Sequence, residues 1–181
     1  SQCVVDLDGV VVDYVGDQLF ATWGAPDAQA DHQERALKAC IEILDKTQIL
    51  QERWASQIDK PFSLGIGVST GYAQAGNVGS RQKFKYGVLG NTVNLGSRLQ
   101  DATKQLGVDC IAEATCIRGA GWENRSRRLT KLQVTGIDGV VEAYEIVADT
   151  GEDWPKLKAS YEAALLEFEA GRFAEATSSL G

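Results

Sequence analysis

Asn94 and Arg98, four residues apart, head the side chains of this sequence that could do chemistry. They lie in the stretch Tyr86–Arg98, which reads YGVLGNTVNLGSR. Gly87 and Gly90 break a short apolar run there, and Asn91 offers an N-cap for a helix that follows. At that spacing the two side chains share one helical face. Leu95, Leu99, Ala102 and Leu106 form a separate apolar stripe, expected to face the core. The amide and the guanidinium are then free to meet a ligand or a partner. The same pattern equally describes an N-capped amphipathic helix with two solvated polar residues. A second candidate is Asp17, a carboxylate in the tight turn Gly16-Asp17, although Asp and Gly are common turn residues and alone it reads as structural.

Composition narrows the chemistry. The chain has one histidine, His32, expected to precede a helix and to be exposed, so histidine triads and histidine general bases are excluded. Four cysteines (Cys3, Cys40, Cys110, Cys116) show no CxxC spacing and read as reduced core residues of a cytoplasmic protein. The formal charge of -7 argues against binding nucleic acid through its backbone. A small polyanion such as a nucleotide would need metal ions as go-betweens. No run approaches the roughly 18 apolar residues that span a membrane, and no signal peptide is read at the start. With 181 residues, 44% of them hydrophobic, the chain suits one globular domain with a modest appendage.

The elements that must position these residues follow in order. SQCVVDLDG reads as the end of a helix. The β-branched run Val10–Val15, the turn Gly16-Asp17 and Leu19–Trp23 read as a β-hairpin with a carboxylate at its tip. A long helix is expected from His32 to about Gln57, with Leu37, Cys40, Ile41, Leu44 and Trp54 at helical spacing and Lys60-Pro61 closing it. Phe62–Ser69 reads as a buried strand, interrupted by Gly65 and Gly67 where another backbone comes close. Gly71–Val78 reads as a second strand, and GSRQKFK after it carries the largest local cluster of positive charge. Beyond the Asn91–Leu106 helix a strand (Val108–Ile111), a short helix (Glu113–Arg118) and a hairpin of Arg128–Val134 with Val140–Val147 are expected. From Trp154 the pattern becomes a polar, alanine-rich helical hairpin whose Tyr161, Ala164, Leu165, Phe168, Gly171, Phe173 and Ala176 resemble one tetratricopeptide-type repeat.

Three segments together, VVVDYVGDQLFATWGAP, LGIGVSTGYAQAGNVGS and YGVLGNTVNLGSRL, resemble the catalytic domain of class III adenylate and guanylate cyclases. The resemblance covers roughly residues 1–147, so the chain divides into a cyclase domain over 1–149 and a tetratricopeptide-like helical tail over 150–181. It implies an α+β fold, a ferredoxin-like antiparallel sheet with helices on one face, and a homodimer with active sites at the interface. Such enzymes convert a purine nucleoside triphosphate, ATP or GTP, to the 3′,5′-cyclic monophosphate and pyrophosphate, using two Mg²⁺ or Mn²⁺ ions. By position, Asp17 matches a metal-holding aspartate, Asn94 the asparagine that orients the ribose, and Arg98 the arginine that stabilises charge on the α-phosphate.

The sequence departs from the family at several points. The strand that carries the other metal aspartate is expected to lie before residue 1, and Asp6 and Asp8 do not replace it. Asp13 stands where adenylate cyclases carry an adenine-reading lysine. A carboxylate only accepts, and guanine offers N1–H and an amino group as donors, which tilts the site toward GTP. The second purine-reading position is Gly87, without a side chain. Thr135 occupies the place of a triphosphate-binding lysine, with Lys131 nearby on a strand. These departures leave a second expectation open, a catalytically silent cyclase-homology domain acting in dimerisation or nucleotide sensing.

Overall fold

The β-branched run after Gly9 pairs with the strand that follows it. β1 (Val10–Val15) and β2 (Gln18–Thr22) are antiparallel. Val15 faces Gln18 across the turn, where Gly16 takes the left-handed φ of 63° that a glycine accepts at least cost. A computed structural model of the protein describes residues 1–57, 63–80, 82–134, 136–137, 139–148 and 150–180. Ahead of the hairpin lies a short helix, α1 (Gln2–Asp6). The Trp23 indole N–H donates to the Leu7 carbonyl at 3.0 Å and pins the base of the hairpin to the end of α1.

α2 (His32–Trp54) follows, then β3 (Ile66–Val68), the ribbon β4 (Gln74–Gly79) and β5 (Phe84–Leu89), and α3 (Asn91–Leu106). The chain continues through β6 (Cys110–Glu113), α4 (Ala114–Ala120), β7 (Ser126–Gln133) and β8 (Val140–Ile146). α5 (Trp154–Glu169) and α6 (Phe173–Ser178) end it. A four-stranded sheet runs in the order β3-β6-β8-β7, with β3 parallel to β6 and the other pairs antiparallel. The two hairpins stand apart from it as two-stranded ribbons.

The α+β core expected from sequence is present, but its helices cover both faces of the sheet. Cys110 and Ala112 of β6 pack with Leu37 and Cys40 of α2 and with Cys116 and Ile117 of α4. Ile111, pointing the other way in the pleat, packs with Leu95 and Leu99 of α3. All four residues of β6 are buried, and such a strand needs cover on both sides. α5 adds to the α3 side, where the Tyr161 hydroxyl donates to the Leu129 carbonyl at 3.1 Å and Glu162 accepts the Arg128 N–H at 2.9 Å. The helical hairpin thus starts at Trp154 as expected and lies against β7.

Four local expectations are corrected. Asn91 is the first helical residue and makes no side-chain cap; Gly90 flanks the helix instead, at φ 157°, with the Tyr72 carbonyl only 3.1 Å from where a Cβ would sit. Leu106 and Trp54 are exposed, at 36% and 43%, because each lies in the last turn of its helix beyond the sheet it packs on. His32 is not exposed ahead of the helix but begins α2 half-buried, with both ring nitrogens hydrogen-bonded. The four cysteines are buried and free of disulfides. Lys60-Pro61, Phe62 and Thr135 lie outside the described residues.

Candidate functional site

α3 is held against β3 at a separation that only glycine permits. A Cβ on Gly67 would sit 2.1 Å from the Gly96 carbonyl oxygen and 2.3 Å from the Gln100 nitrogen. On Gly65 it would meet the Thr103 hydroxyl at 2.4 Å. The close backbone approach expected at these two glycines is therefore met at Gly67, whereas at Gly65 the close neighbours are side chains; both sets of neighbours lie on α3. The Ser69 hydroxyl adds a bond to the Thr92 carbonyl at 2.6 Å, which fixes the first turn of the helix.

With Leu95, Leu99 and Thr103 turned inward, Asn94 and Arg98 stand exposed on the outer side of α3. Among the described residues the Arg98 guanidinium has a single ion-pair neighbour, Asp101, at 3.7 Å, and both members are more than half exposed. Such a loose surface pair is worth little and leaves the guanidinium available. Asn94 makes no side-chain hydrogen bond among the described residues. One helical face so presents amide donors and a planar cationic fork, the donor set suited to hydroxyl and phosphate oxygens.

Asp17 sits exposed between β1 and β2, without a hydrogen-bond or ion-pair partner among the described residues. Its carboxylate is a hard oxygen ligand of the kind Mg²⁺ and Mn²⁺ take. No group of three or more His, Cys, Asp or Glu side chains suited to a metal ion occurs among the described residues. Asp17 therefore offers one oxygen ligand for a divalent ion. Asp8 is paired with Arg35, and Asp6 accepts from Gln2.

Asp13 is already occupied. The Lys85 ammonium, on β5, donates to its carboxylate across the gap between the two ribbons. That hydrogen bond holds the Asp13 carboxyl below the usual carboxylate range, so it is ionised and acts only as an acceptor. Lys85 and Gly87 are two apart on β5 and share one face of the ribbon. Across from them stand Val78 and Gly76, and the Val78 side chain lies over Gly87, 3.1 Å from where a Cβ there would sit. Sequence reasoning saw Lys85 only as part of a charged loop; its place on a strand and its pairing with Asp13 were invisible there. No hydrogen bond or ion pair among the described residues joins Asn94 or Arg98 to Asp13 or Asp17. The structure leaves these as two groups, one on α3 and one on the hairpin with β5.

Where α3 begins, Tyr72, Ala73, Gln74, Leu89 and Gly90 line an open depression of about 400 Å³. Tyr72 is fully exposed and Leu89 is 53% exposed.

Residues 4–148 match the family model described as the adenylate and guanylate cyclase catalytic domain. Adenylate cyclase 1 of Rhizobium meliloti is 27% identical over 147 residues, 81% of this chain and 22% of that protein. An uncharacterized protein of Mycobacterium tuberculosis is 34% identical over 120 residues, 66% of this chain and 20% of its own length. The chain thus spans about a fifth of the length of the curated relatives it matches. Among solved structures, the adenylyl cyclase CyaB from P. aeruginosa superposes with a TM-score of 0.74 at 24% identity, over 84% of this chain and 78% of that one. The guanylyl cyclase Cya2 gives a TM-score of 0.71 at 24% identity, over 83% and 76%. At this identity the two structures establish a shared fold.

Proposed function

The chain belongs to the adenylate and guanylate cyclase catalytic-domain family, and from that we propose that it forms a 3′,5′-cyclic nucleotide and pyrophosphate from ATP or GTP. In this reaction the ribose 3′-oxygen bonds to the α-phosphorus while the bond to pyrophosphate breaks, and the 3′-hydroxyl proton passes to solvent. Asn94 orients the ribose through its amide. Arg98 donates to the α-phosphate oxygens, where charge grows in the transition state. Asp17 holds a divalent ion, and Asp13, whose Oδ2 is taken by Lys85, accepts from the purine edge through Oδ1 beside Gly87. Divalent ions, when bound, supply neutralisation of the triphosphate and activation of the attacking hydroxyl.

The observation that carries this reading is the exposed Asn94–Arg98 face of α3, opposite its buried stripe and left without a strong partner. A second copy of the chain is the natural complement. The exposed Tyr72 and Leu89 border the start of α3, and a head-to-tail homodimer would cover them while bringing one subunit's α3 face to the other's Asp17. A catalytically silent homologue acting in dimerisation or nucleotide sensing is the second reading, favoured by Gly87, which offers no side chain at the second purine-reading position. No helix among those residues is long and apolar enough to cross a membrane.

The test is an assay of the full-length protein, with ATP and GTP supplied separately with Mn²⁺ at concentrations that allow dimers. Cyclic nucleotide and pyrophosphate appearing together support the enzyme. Their absence from a confirmed dimer, with either purine, leaves the silent reading.

A further inference from the structure

Glu113 is the one buried carboxylate among the described residues, 8% exposed at the end of β6. It is not part of the site above. Its Oε1 accepts the Thr70 backbone N–H at 2.7 Å. The same threonine is held from its other side, since its hydroxyl is 3.1 Å from His32 Nε2. His32 Nδ1 lies 2.9 Å from the Gln29 carbonyl, which can only accept, so Nδ1 carries a proton; in the neutral ring Nε2 then accepts from Thr70. Two ionisable side chains, from α2 and β6, meet on one residue just beyond β3.

What Thr70 belongs to gives the arrangement its consequence. Ser69 donates to the Thr92 carbonyl, a Cβ on Gly71 would touch Thr92 at 3.4 Å, and one on Gly90 would meet the Tyr72 carbonyl. Residues 69–73 therefore form the seat of the first turn of α3. We infer that Glu113 is a positioning residue, which through Thr70 holds this seat and so sets the placement of Asn94 and Arg98. The inference rests on the catalytic reading of those two residues.

Stability does not account for a carboxylate here. Burial pushes the Glu113 carboxyl above its ordinary range, opposed by the Thr70 N–H and by Arg118. The ionisable groups facing it are Arg118 and Cys116 of α4. Because its folded value lies above its unfolded one, the native state binds the proton more tightly, and stability falls as pH rises through that interval. A glutamine would accept the same N–H without that cost. The charge gives a stronger hold on Thr70, since bonds to ionised acceptors are roughly twice as strong as neutral ones.

The experiment compares the unmodified protein with Glu113→Gln by amide hydrogen exchange, thermal unfolding and, where cyclic nucleotide is made, kinetics across pH. Expected for the variant are a melting temperature at pH 7 equal to or above that of the unmodified protein, and protection at Thr70 and residues 92–94 reduced about five- to tenfold. Protection in α5 should not change. Turnover should fall severalfold with KM little altered, and the acid limb of the turnover–pH profile should lose the part that protonation of Glu113 contributes. In the unmodified protein, protection at Thr70 should itself drop as Glu113 takes up its proton. Unchanged protection and an unchanged pH profile in the variant would overturn the inference, as would a variant too unstable to fold at pH 7. If the unmodified protein makes no cyclic nucleotide, the catalytic reading fails, and exchange at residues 92–94 alone decides whether Glu113 holds the seat.

Discussion

The Lys85 ammonium donates to the Asp13 carboxylate, joining β5 to the hairpin that carries Asp17 across 72 positions of sequence. The pair couples the two ribbons on which the purine-reading residues are proposed to lie. Replacing Lys85 by methionine should return the Asp13 carboxyl toward its ordinary range, since the hydrogen bond from Lys85 is the first cause of its lowered value. A depressed folded value adds stability above the unfolded pKa that is lost as pH falls through the folded one. The variant should therefore lose a little stability at neutral pH and none at strongly acid pH. A carboxylate titration by NMR, with and without Lys85, measures the shift; an unmoved Asp13 would show that the pair does not persist in solution.

Arg98→Ala should lower turnover by about 10²–10³, the usual cost of removing one preorganised donor from a developing anion. The Arg98 side chain is more than half exposed, so the melting temperature and the proposed dimer should be unchanged. Sedimentation and a cyclic-nucleotide assay read the two effects separately. Full turnover in this variant would take Arg98 out of the mechanism.

Asp17→Asn keeps the shape of the hairpin tip and removes one charge. Metal-dependent activity should be lost, and rescue by raised Mn²⁺ should be slight, because an amide oxygen is a far poorer ligand than a carboxylate. The check is a Mn²⁺ titration of activity, beside circular dichroism to show that the hairpin remains. A variant as active as the parent would make Asp17 only a turn residue.

Gly67→Ala tests the seat of α3 directly. Its Cβ would fall 2.1 Å from the Gly96 carbonyl, so helix and strand must separate. Overpacking of this kind costs about 1–3 kcal/mol, read as a lower melting temperature. Activity should fall further than stability alone explains, because the displaced element carries Asn94 and Arg98. A melting temperature equal to that of the parent would mean that the contact yields without cost.

Periodicity and local backbone preference were enough to place α3 over Asn91–Leu106, to separate its Leu95–Leu99 stripe from the Asn94–Arg98 face, and to read the hairpin around Gly16. They also marked Gly65 and Gly67 as points of close approach, since a glycine inside a strand signals a neighbour where a side chain would stand. These features are properties of a few adjacent residues. The pairing of Lys85 with Asp13, the hold of Glu113 on Thr70 and the cover of β6 on both faces join residues far apart along the chain. Their partners depend on which surfaces pack together, and no local pattern carries that. At Gly90, the residue that flanks α3, the Tyr72 carbonyl from a different loop comes within 3.1 Å of where a Cβ would sit, a neighbour that local pattern does not reveal. The candidates Asn94, Arg98 and Asp17 could thus be named from local pattern, whereas what packs around each of them was decided by tertiary structure.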